Sequence, residues 1–415
     1  QDLARQVLDF FAEARVKDPL VRWEDVVLFK MDLAGAYTLI SFDPDDVCLM
    51  GSELTEERVV FFMCGVFGWT GTPAAFQVVT RACVHELRKR IAGRVNMYVD
   101  DVMGVCLTLD LGGNLDACNV FLEGLLGPGA VAQDKSASGR CLAEIGYQFD
   151  LGDSLETARV GVSEPNLARA LVGFLRAAPG GMATRPEMEK LASWSSRYGQ
   201  ICLYIRPFTR HLYEAYKGKG RRQPFVLLPE AMRSIMMVRM LLVMTAVEPG
   251  KFSRTLLSFR QRRATVIVEF DASLGCVGLI WYTLGGDGTE CPVGACSVDI
   301  SVLGFGEDSQ FQNSAEFIAA TLGVLGLIYL GLEGSAVRLR GDSRSALCWG
   351  TTMRFKGART GNAALVFTLL LIQAEVTVVD YEFLFSDENV RADELSRQRS
   401  VEEVREKFDN LSCVR

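Results

Sequence analysis

The sequence predicts an α+β fold in three parts, because the mixture of secondary-structure signals changes twice along the chain. Residues 1–150 interleave helix patterns with short apolar strands, two of which face each other as a tight hairpin between Val95 and Cys106. Residues 151–262 read as mainly helical, with Pro165, the Pro179-Gly180-Gly181 turn and the Lys217–Gly220 stretch as breakers. Residues 263–400 restart with strands and then alternate strand and helix, and residues 401–415 form a tail. The basic segment Arg260-Gln261-Arg262-Arg263 reads as the linker into the third part.

Composition sets outer bounds. The 415 residues are 49% hydrophobic and 23% charged, the balance of an ordinary globular protein. Twelve cysteines show no Cys-x-x-Cys spacing, so neither a zinc site nor a disulfide framework is indicated. That usage and the lack of a secretory pattern predict an intracellular protein, cytoplasmic or nuclear. The apolar runs near 236–247, 323–332 and 364–372 are too short to span a bilayer, so no membrane partner is expected. A net charge of −7 argues against nucleic acid as a partner for the chain taken as a whole. Local patches decide such binding, however, and basic clusters occur at Arg88–Arg90, Lys217–Arg222 and Arg260–Arg263.

In the first part, a strand from Val26 ends in Asp32, followed by Leu33-Ala34-Gly35-Ala36-Tyr37. A lone Asp there is commonly a turn former or helix cap. Next comes Gly65-Val-Phe-Gly68-Trp-Thr-Gly71-Thr72-Pro73-Ala-Ala-Phe76-Gln77. Its glycines permit close backbone approach to a ligand. Thr72-Pro73 reads as an N-cap followed by Pro at the first helical position, opening a helix through about Arg90. The hairpin then places Tyr98-Val99-Asp100-Asp101 at its tip. Adjacent carboxylates repel, and a divalent cation offsets that cost. If Asp32 meets Asp100 and Asp101 in space, the three suit two magnesium ions, which take oxygen ligands.

The third part repeats the theme. Val266–Phe270 is a strand ending in Asp271, and a second strand runs from Cys276 to Thr283 before a Gly-rich turn at 285–288. Glu316 lies in the helical stretch Asn313–Leu330, whose apolar face is Ala315, Ile318, Ala319 and Leu322. Asp342 follows the strand Ala336–Arg340 and precedes a helix at Ser343–Trp349. Asp393 sits at the start of the last helix, in Asn389-Val-Arg-Ala392-Asp393-Glu394-Leu395-Ser396-Arg397. Each acid alone reads as a cap or a surface residue.

Taken in order, Asp32-x-x-x-Ala36-Tyr37, the Gly65–Gln77 loop and Tyr98-x-Asp100-Asp101 resemble the palm motifs of reverse transcriptases. Gln133-Asp134-Lys135-Ser136 and Ile145-Gly146-Tyr147-Gln148 look like the two motifs that follow. The resemblance implies that Asp32, Asp100 and Asp101 are the metal-binding catalytic triad. It makes Tyr37 the steric gate against a ribose 2′-hydroxyl. Gly68, Gly71, Thr72, Pro73 and Gln77 would contact template and incoming nucleotide. Tyr98 and Val99 would lie near the primer terminus, and Lys135 would give a proton to pyrophosphate.

The downstream acids resemble ribonuclease H in order and context, which implies that Asp271, Glu316, Asp342 and Asp393 hold metal and direct water at RNA phosphate. The ending Asn-x-x-Ala-Asp-x-Leu-Ser-Arg looks like that of gypsy-like and DIRS-like retrotransposons, and Pro44-Asp45-Asp46 leans to the DIRS-like group. Gln200–Leu212 is similar to the thumb helices between the two domains, so the resemblance spans about residues 25–400.

The implied architecture is a palm, an antiparallel sheet with helices, with truncated fingers at 1–150 and a helical thumb or connection at 151–262. A ribonuclease H-like domain with a mixed five-stranded sheet follows at 263–400. The implied activity is RNA-directed DNA polymerisation with ribonuclease H. Magnesium, or manganese, would serve as two ions per active site. The implied partners are an RNA template, a DNA primer, the RNA–DNA hybrid and deoxynucleoside triphosphates.

Two departures stand out. No His occurs in Phe383–Glu388, where many ribonuclease H sequences carry one, and the two histidines, His85 and His211, read as a helix-surface and a thumb residue. Only 31 residues precede Asp32, less than a usual fingers region. A fragment or decayed element that binds primer–template hybrid without polymerising, with or without ribonuclease H activity, is therefore the alternative expectation.

Overall fold

The computed structural model describes residues 2–66, 71–221, 223–260, 263–273, 275–304, 311–355, 361–397 and 412–413. Two compact units divide the chain: Gln1–Leu167 with Glu248–Arg260, and Ala168–Val247 with Gln261–Arg415. Its class is α+β, with antiparallel sheets in the first unit and a mixed sheet in the second.

In the first unit α1 (Asp2–Lys17) precedes β1 (Val26–Leu33), which is buried at six of its eight positions. Such a run is what a central strand needs, since both faces are covered. An exposed hairpin, β2 (Gly51–Thr55) and β3 (Arg58–Phe61), leads to α2 (Gly71–Leu87). Then come β4 (Gly93–Tyr98), β5 (Asp101–Leu107), α3 (Leu111–Leu126) and β6 (Val131–Gly139). The sheet order is β4-β5-β1-β6, with every pairing antiparallel. Phe76, Thr80, Val84 and Leu87 line one face of α2 at helical spacing and are buried, most of them against Phe29 and Met31 in one core. Gly104 is required opposite Phe29, because a Cβ there would lie 2.1 Å from the ring.

A smaller sheet follows: β7 (Cys141–Glu144), β8 (Tyr147–Asp150) and β9 (Arg159–Val162), joined by the short strand Arg254–Thr255. Arg140 fastens this sheet to β1, donating from Nη1 to Trp23 and Val26 carbonyls at 2.8 Å and from Nη2 to Gly152 at 2.7 Å.

The second unit opens with helices α4 (Glu164–Arg176), α5 (Arg185–Tyr198), α6 (Arg206–Tyr216) and α7 (Pro229–Val247). The mixed sheet is built from β10 (Val266–Ala272), β11 (Cys276–Leu284) and β12 (Glu290–Asp299), then β13 (Ala336–Gly341) and β14 (Thr377–Phe383). Its order is β14-β13-β10-β11-β12, with Ser412–Cys413 added at the β12 edge. The first three strands are antiparallel, while β13 runs parallel to β10 and β14 parallel to β13. This is the mixed five-stranded arrangement expected from the sequence.

Helices α8 (Gln312–Tyr329), α9 (Arg344–Thr352) and α10 (Gly361–Gln373) contribute to the main core, and α11 (Val390–Arg397) sends Leu395 into a smaller cluster with Ile267 and Ile280. Glycine sets two of these approaches. A Cβ on Gly326 would lie 2.1 Å from the buried Trp281 ring, and one on Gly278 would lie 2.1 Å from the Ala392 carbonyl of α11.

Two local expectations need correction. The helix after the Gly loop begins at Gly71, so Thr72 is a first-turn residue and not its cap. Its hydroxyl is buried without a hydrogen bond among the described residues, and its methyl carbon stands 2.8 Å from where a Gly65 Cβ would go. The hairpin tip is also narrower than an acidic pair: Tyr98 pairs with Asp101, which leaves Val99 and Asp100 as the turn. No described helix is long and apolar enough to cross a membrane.

Candidate active sites

Asp32 and Asp101 are register partners on β1 and β5, so strand pairing alone brings two of the first-part acids together. Asp100 joins them through the turn, which is tied back to β1 by the Leu33 amide donating to the Asp100 carbonyl at 2.9 Å. Val99 holds a φ of 57°. A β-branched residue there is strained, and such strain persists only where the surroundings enforce it. Tyr98 is exposed and Val99 half-buried.

Asp32 is paired with a cation from the chain itself. Lys135 on β6 puts Nζ 2.6 Å from Asp32 Oδ2, and that bond raises the lysine pKa. Asp101 is pushed up to about 7, first by burial and next by a neighbour that sequence reasoning missed, Glu144. Glu144 ends β7 with its side chain 4% exposed and in hydrogen-bonding reach of Asp101. Lys30 Nζ compensates it at 3.2 Å. The signal for Glu144 lay in alternation: Leu142 and Glu144 share the buried face of β7.

Tyr37 packs edge-on against Phe76, with ring centroids 5.9 Å apart. Gly65 closes against the chain itself, since a Cβ there would lie 2.6 Å from the Tyr37 carbonyl. Gly71, the buried Thr72 and the exposed Pro73 open α2, and Gln77 one turn on donates to Thr80 Oγ1 at 3.3 Å. Gly68 lies outside the described residues. His85 is exposed on α2, while His211 Nδ1 lies 3.0 Å from Ser234 Oγ.

The second set is more compact. Asp271 lies within β10, Glu316 in the second turn of α8 and Asp342 just after β13. Each offers a carboxylate oxygen within 4.8 Å of the others. Among the described residues this is the one trio of His, Cys, Asp or Glu gathered so closely; Asp32, Asp100 and Asp101 are not. Burial, then Asp271 and Asp342, drives Glu316 up to about 9, and burial lifts Asp271 to about 6. Glu316 Oε2 is buried and makes no hydrogen bond among the described residues, while Gln312 Nε2 donates to its Oε1 at 3.0 Å.

Three hard oxygen donors in mutual repulsion, one of them unsatisfied, suit a divalent cation. Asp393 stands near enough to raise Asp271 but turns its carboxylate to Arg397, 2.6 Å from Nη2.

The polar shell around this trio comes mostly from the chain's last described helix and the loop before it. Asn389, fully buried, donates from Nδ2 to the Phe270 carbonyl at 3.2 Å and to Asp271 Oδ1 at 3.3 Å. Ser396 Oγ lies 2.6 Å from Asp271 Oδ2, and Ser386 Oγ donates to Asp342 Oδ2 at 3.0 Å.

No protein-family model matches the chain, and no curated protein matches it. Solved structures do. A foamy viral protease–reverse transcriptase dRH in complex with double-stranded DNA is 13% identical with a TM-score of 0.44, over 87% of this chain and 57% of that one. The foamy viral protease–reverse transcriptase in complex with RNA/DNA hybrid is 15% identical with a TM-score of 0.44, over 90% of this chain and 45% of that one. The same protein with double-stranded DNA gives 14% and 0.42, over 87% and 68%. The chain thus spans about half the length of the first two.

Proposed function

We propose that this chain is the reverse transcriptase and ribonuclease H region of a retrotransposon, of the gypsy-like or DIRS-like kind. Residues 1–150 would act as the palm, 151–262 as thumb or connection and 263–400 as the ribonuclease H-like domain. The observation that carries the reading is the trio Asp271, Glu316 and Asp342, two of them buried and Asp342 half-buried, gathered beside a mixed five-stranded sheet. Asp32 facing Asp101 on an upstream antiparallel sheet supports the polymerase half.

Divalent cations, when bound, would activate a water against RNA phosphate at one site and a primer 3′-hydroxyl at the other. The chain's own residues would hold the carboxylates in place. Gln312 would orient Glu316, Ser386 would orient Asp342, and Asn389 would orient Asp271. In the palm, Tyr37 braced by Phe76 would shape the sugar pocket, and Lys135 would exchange Asp32 for the pyrophosphate.

The test is primer extension on an RNA template with magnesium and deoxynucleoside triphosphates, compared with Asp100→Asn/Asp101→Asn. Extension that the double variant loses supports the polymerase half; no extension by the parent chain sinks it.

A second reading has its own support. Lys135 sits on Asp32, and the palm acids are less gathered than the nuclease trio. On that reading the chain binds hybrid and keeps only ribonuclease H. Cleavage of labelled hybrid RNA that vanishes in Asp342→Asn, without extension, would select it.

A further inference from the structure

The trio's geometry depends on a residue from outside it. Ser396 is 1% exposed, and its hydroxyl oxygen lies 2.6 Å from Asp271 Oδ2, across 125 positions of sequence. The same oxygen lies 2.9 Å from the Asp393 carbonyl one turn earlier, a contact that any helical serine can make. One hydroxyl proton cannot serve both acceptors. An ionised carboxylate makes the stronger bond, and 2.6 Å is the charge-assisted O–H···O range.

Ser396 is itself fixed from the strand side. Ser273 Oγ, two residues beyond Asp271, lies 3.0 Å from the Ser396 carbonyl and 3.0 Å from that of Cys276, so its one proton is shared between them. Gly278, the register partner of Asp271, lets the helix backbone settle there, since a Cβ on it would lie 2.6 Å from the Ser396 amide nitrogen.

We propose that Ser396 is a positioning residue for the metal site: it holds Asp271 Oδ2 and so sets the angle at which Asp271 meets a divalent cation beside Glu316 and Asp342. The inference rests on the ribonuclease H reading. It assigns the terminal helix a task beyond carrying Asp393, because α11 then places one acid and aims another.

The test is Mn2+ binding by calorimetry on the full chain, in an Asp100→Asn/Asp101→Asn background that removes the palm acids. Parent, Ser396→Ala, Ser396→Thr and Asp271→Asn are compared, each also melted in chelator. The expected result is affinity weakened about tenfold in Ser396→Ala and restored to within a few-fold in Ser396→Thr. Melting in chelator should stay near that of the parent. Equal affinity in parent and Ser396→Ala overturns the proposal and leaves the ribonuclease H reading intact. So does affinity lost only in step with a large drop in melting temperature and not restored by Thr, which would mark Ser396 as purely structural. Binding in the parent that is unchanged by Asp271→Asn removes the ribonuclease H reading, and the proposal with it.

Discussion

Lys135 places its ammonium 2.6 Å from Asp32 Oδ2, so a carboxylate proposed as a metal ligand already has a cation beside it. The lysine is 61% exposed, so the pair is well screened and contributes little to stability. Lys135→Ala should leave the melting temperature unchanged and tighten Mn2+ binding at Asp32, Asp100 and Asp101 a few-fold. Titration in an Asp271→Asn background, which silences the Asp271–Glu316–Asp342 trio, isolates that site. Unchanged affinity would mean that the lysine and the metal do not compete.

Glu144 should show itself in the pH dependence of the first unit. The Asp101 carboxyl is raised from its ordinary range to about 7, by burial and then by Glu144. A raised acid is protonated in the folded state while the unfolded chain has already lost its proton. Stability from this group is therefore present at low pH and falls as pH rises from about 4 through 7. Glu144→Gln removes the like charge and should flatten that decline, read as melting temperature from pH 4.5 to 8. Parallel curves for parent and variant would discard the coupling.

The trio Asp271, Glu316 and Asp342 extends the same logic to higher pH. With Asp271 near 6 and Glu316 near 9, the metal-free second unit should lose stability steadily between pH 5 and 9. A divalent cation favours the ionised carboxylates, so magnesium should raise the melting temperature by several degrees at pH 8.5 and by much less at pH 6. Glu316→Gln should abolish the magnesium response and the slope above about pH 6, leaving only the decline below it that Asp271 contributes. A magnesium shift that is the same at both pH values would show that the ion binds elsewhere.

These sites were legible in the sequence to different depths. Asp271, Glu316 and Asp342 could be placed because each lies in or just after an element whose period is plain, and the fold then brings them together. Asp32 and Asp101 were readable as neighbours only by the resemblance, since the two-residue turn at Val99-Asp100 fixes how β4 pairs with β5 and says nothing of β1 pairing with β5. Glu144 was not, because its partner Lys30 lies 114 positions away and only folding shows that the two share a buried site. Asn389 and Ser396 stood inside a recognised motif, yet their acceptor is on a strand more than 100 residues earlier. Packing of the helical segment on the later half was equally invisible. It depends on Arg206 and Arg210 donating to the Thr352 and Phe355 carbonyls, which no local pattern encodes.

Gly278 offers a test of whether α11 must dock for the proposed ribonuclease H site to work. It pairs with Asp271 in the sheet, and three atoms of α11 crowd the space above it: the Ala392 carbonyl at 2.1 Å, the Ser396 nitrogen at 2.6 Å and Leu395 Cβ at 2.7 Å from any added Cβ. Two of these are backbone atoms, which a rotamer change cannot move. Gly278→Ala should therefore push the whole helix outward, at a cost of about 1–3 kcal/mol. Ser396 and Asn389 would then draw away from Asp271, and Asp393 would retreat with them. Hybrid cleavage should fall by an order of magnitude or more, whereas primer extension should stay at the parent level. Hydrogen exchange across 389–397 should rise while α8 remains protected. Parent-level cleavage together with unchanged exchange in the helix would show that α11 adapts without moving its polar side chains, and that docking of this helix is not what sets the geometry at Asp271.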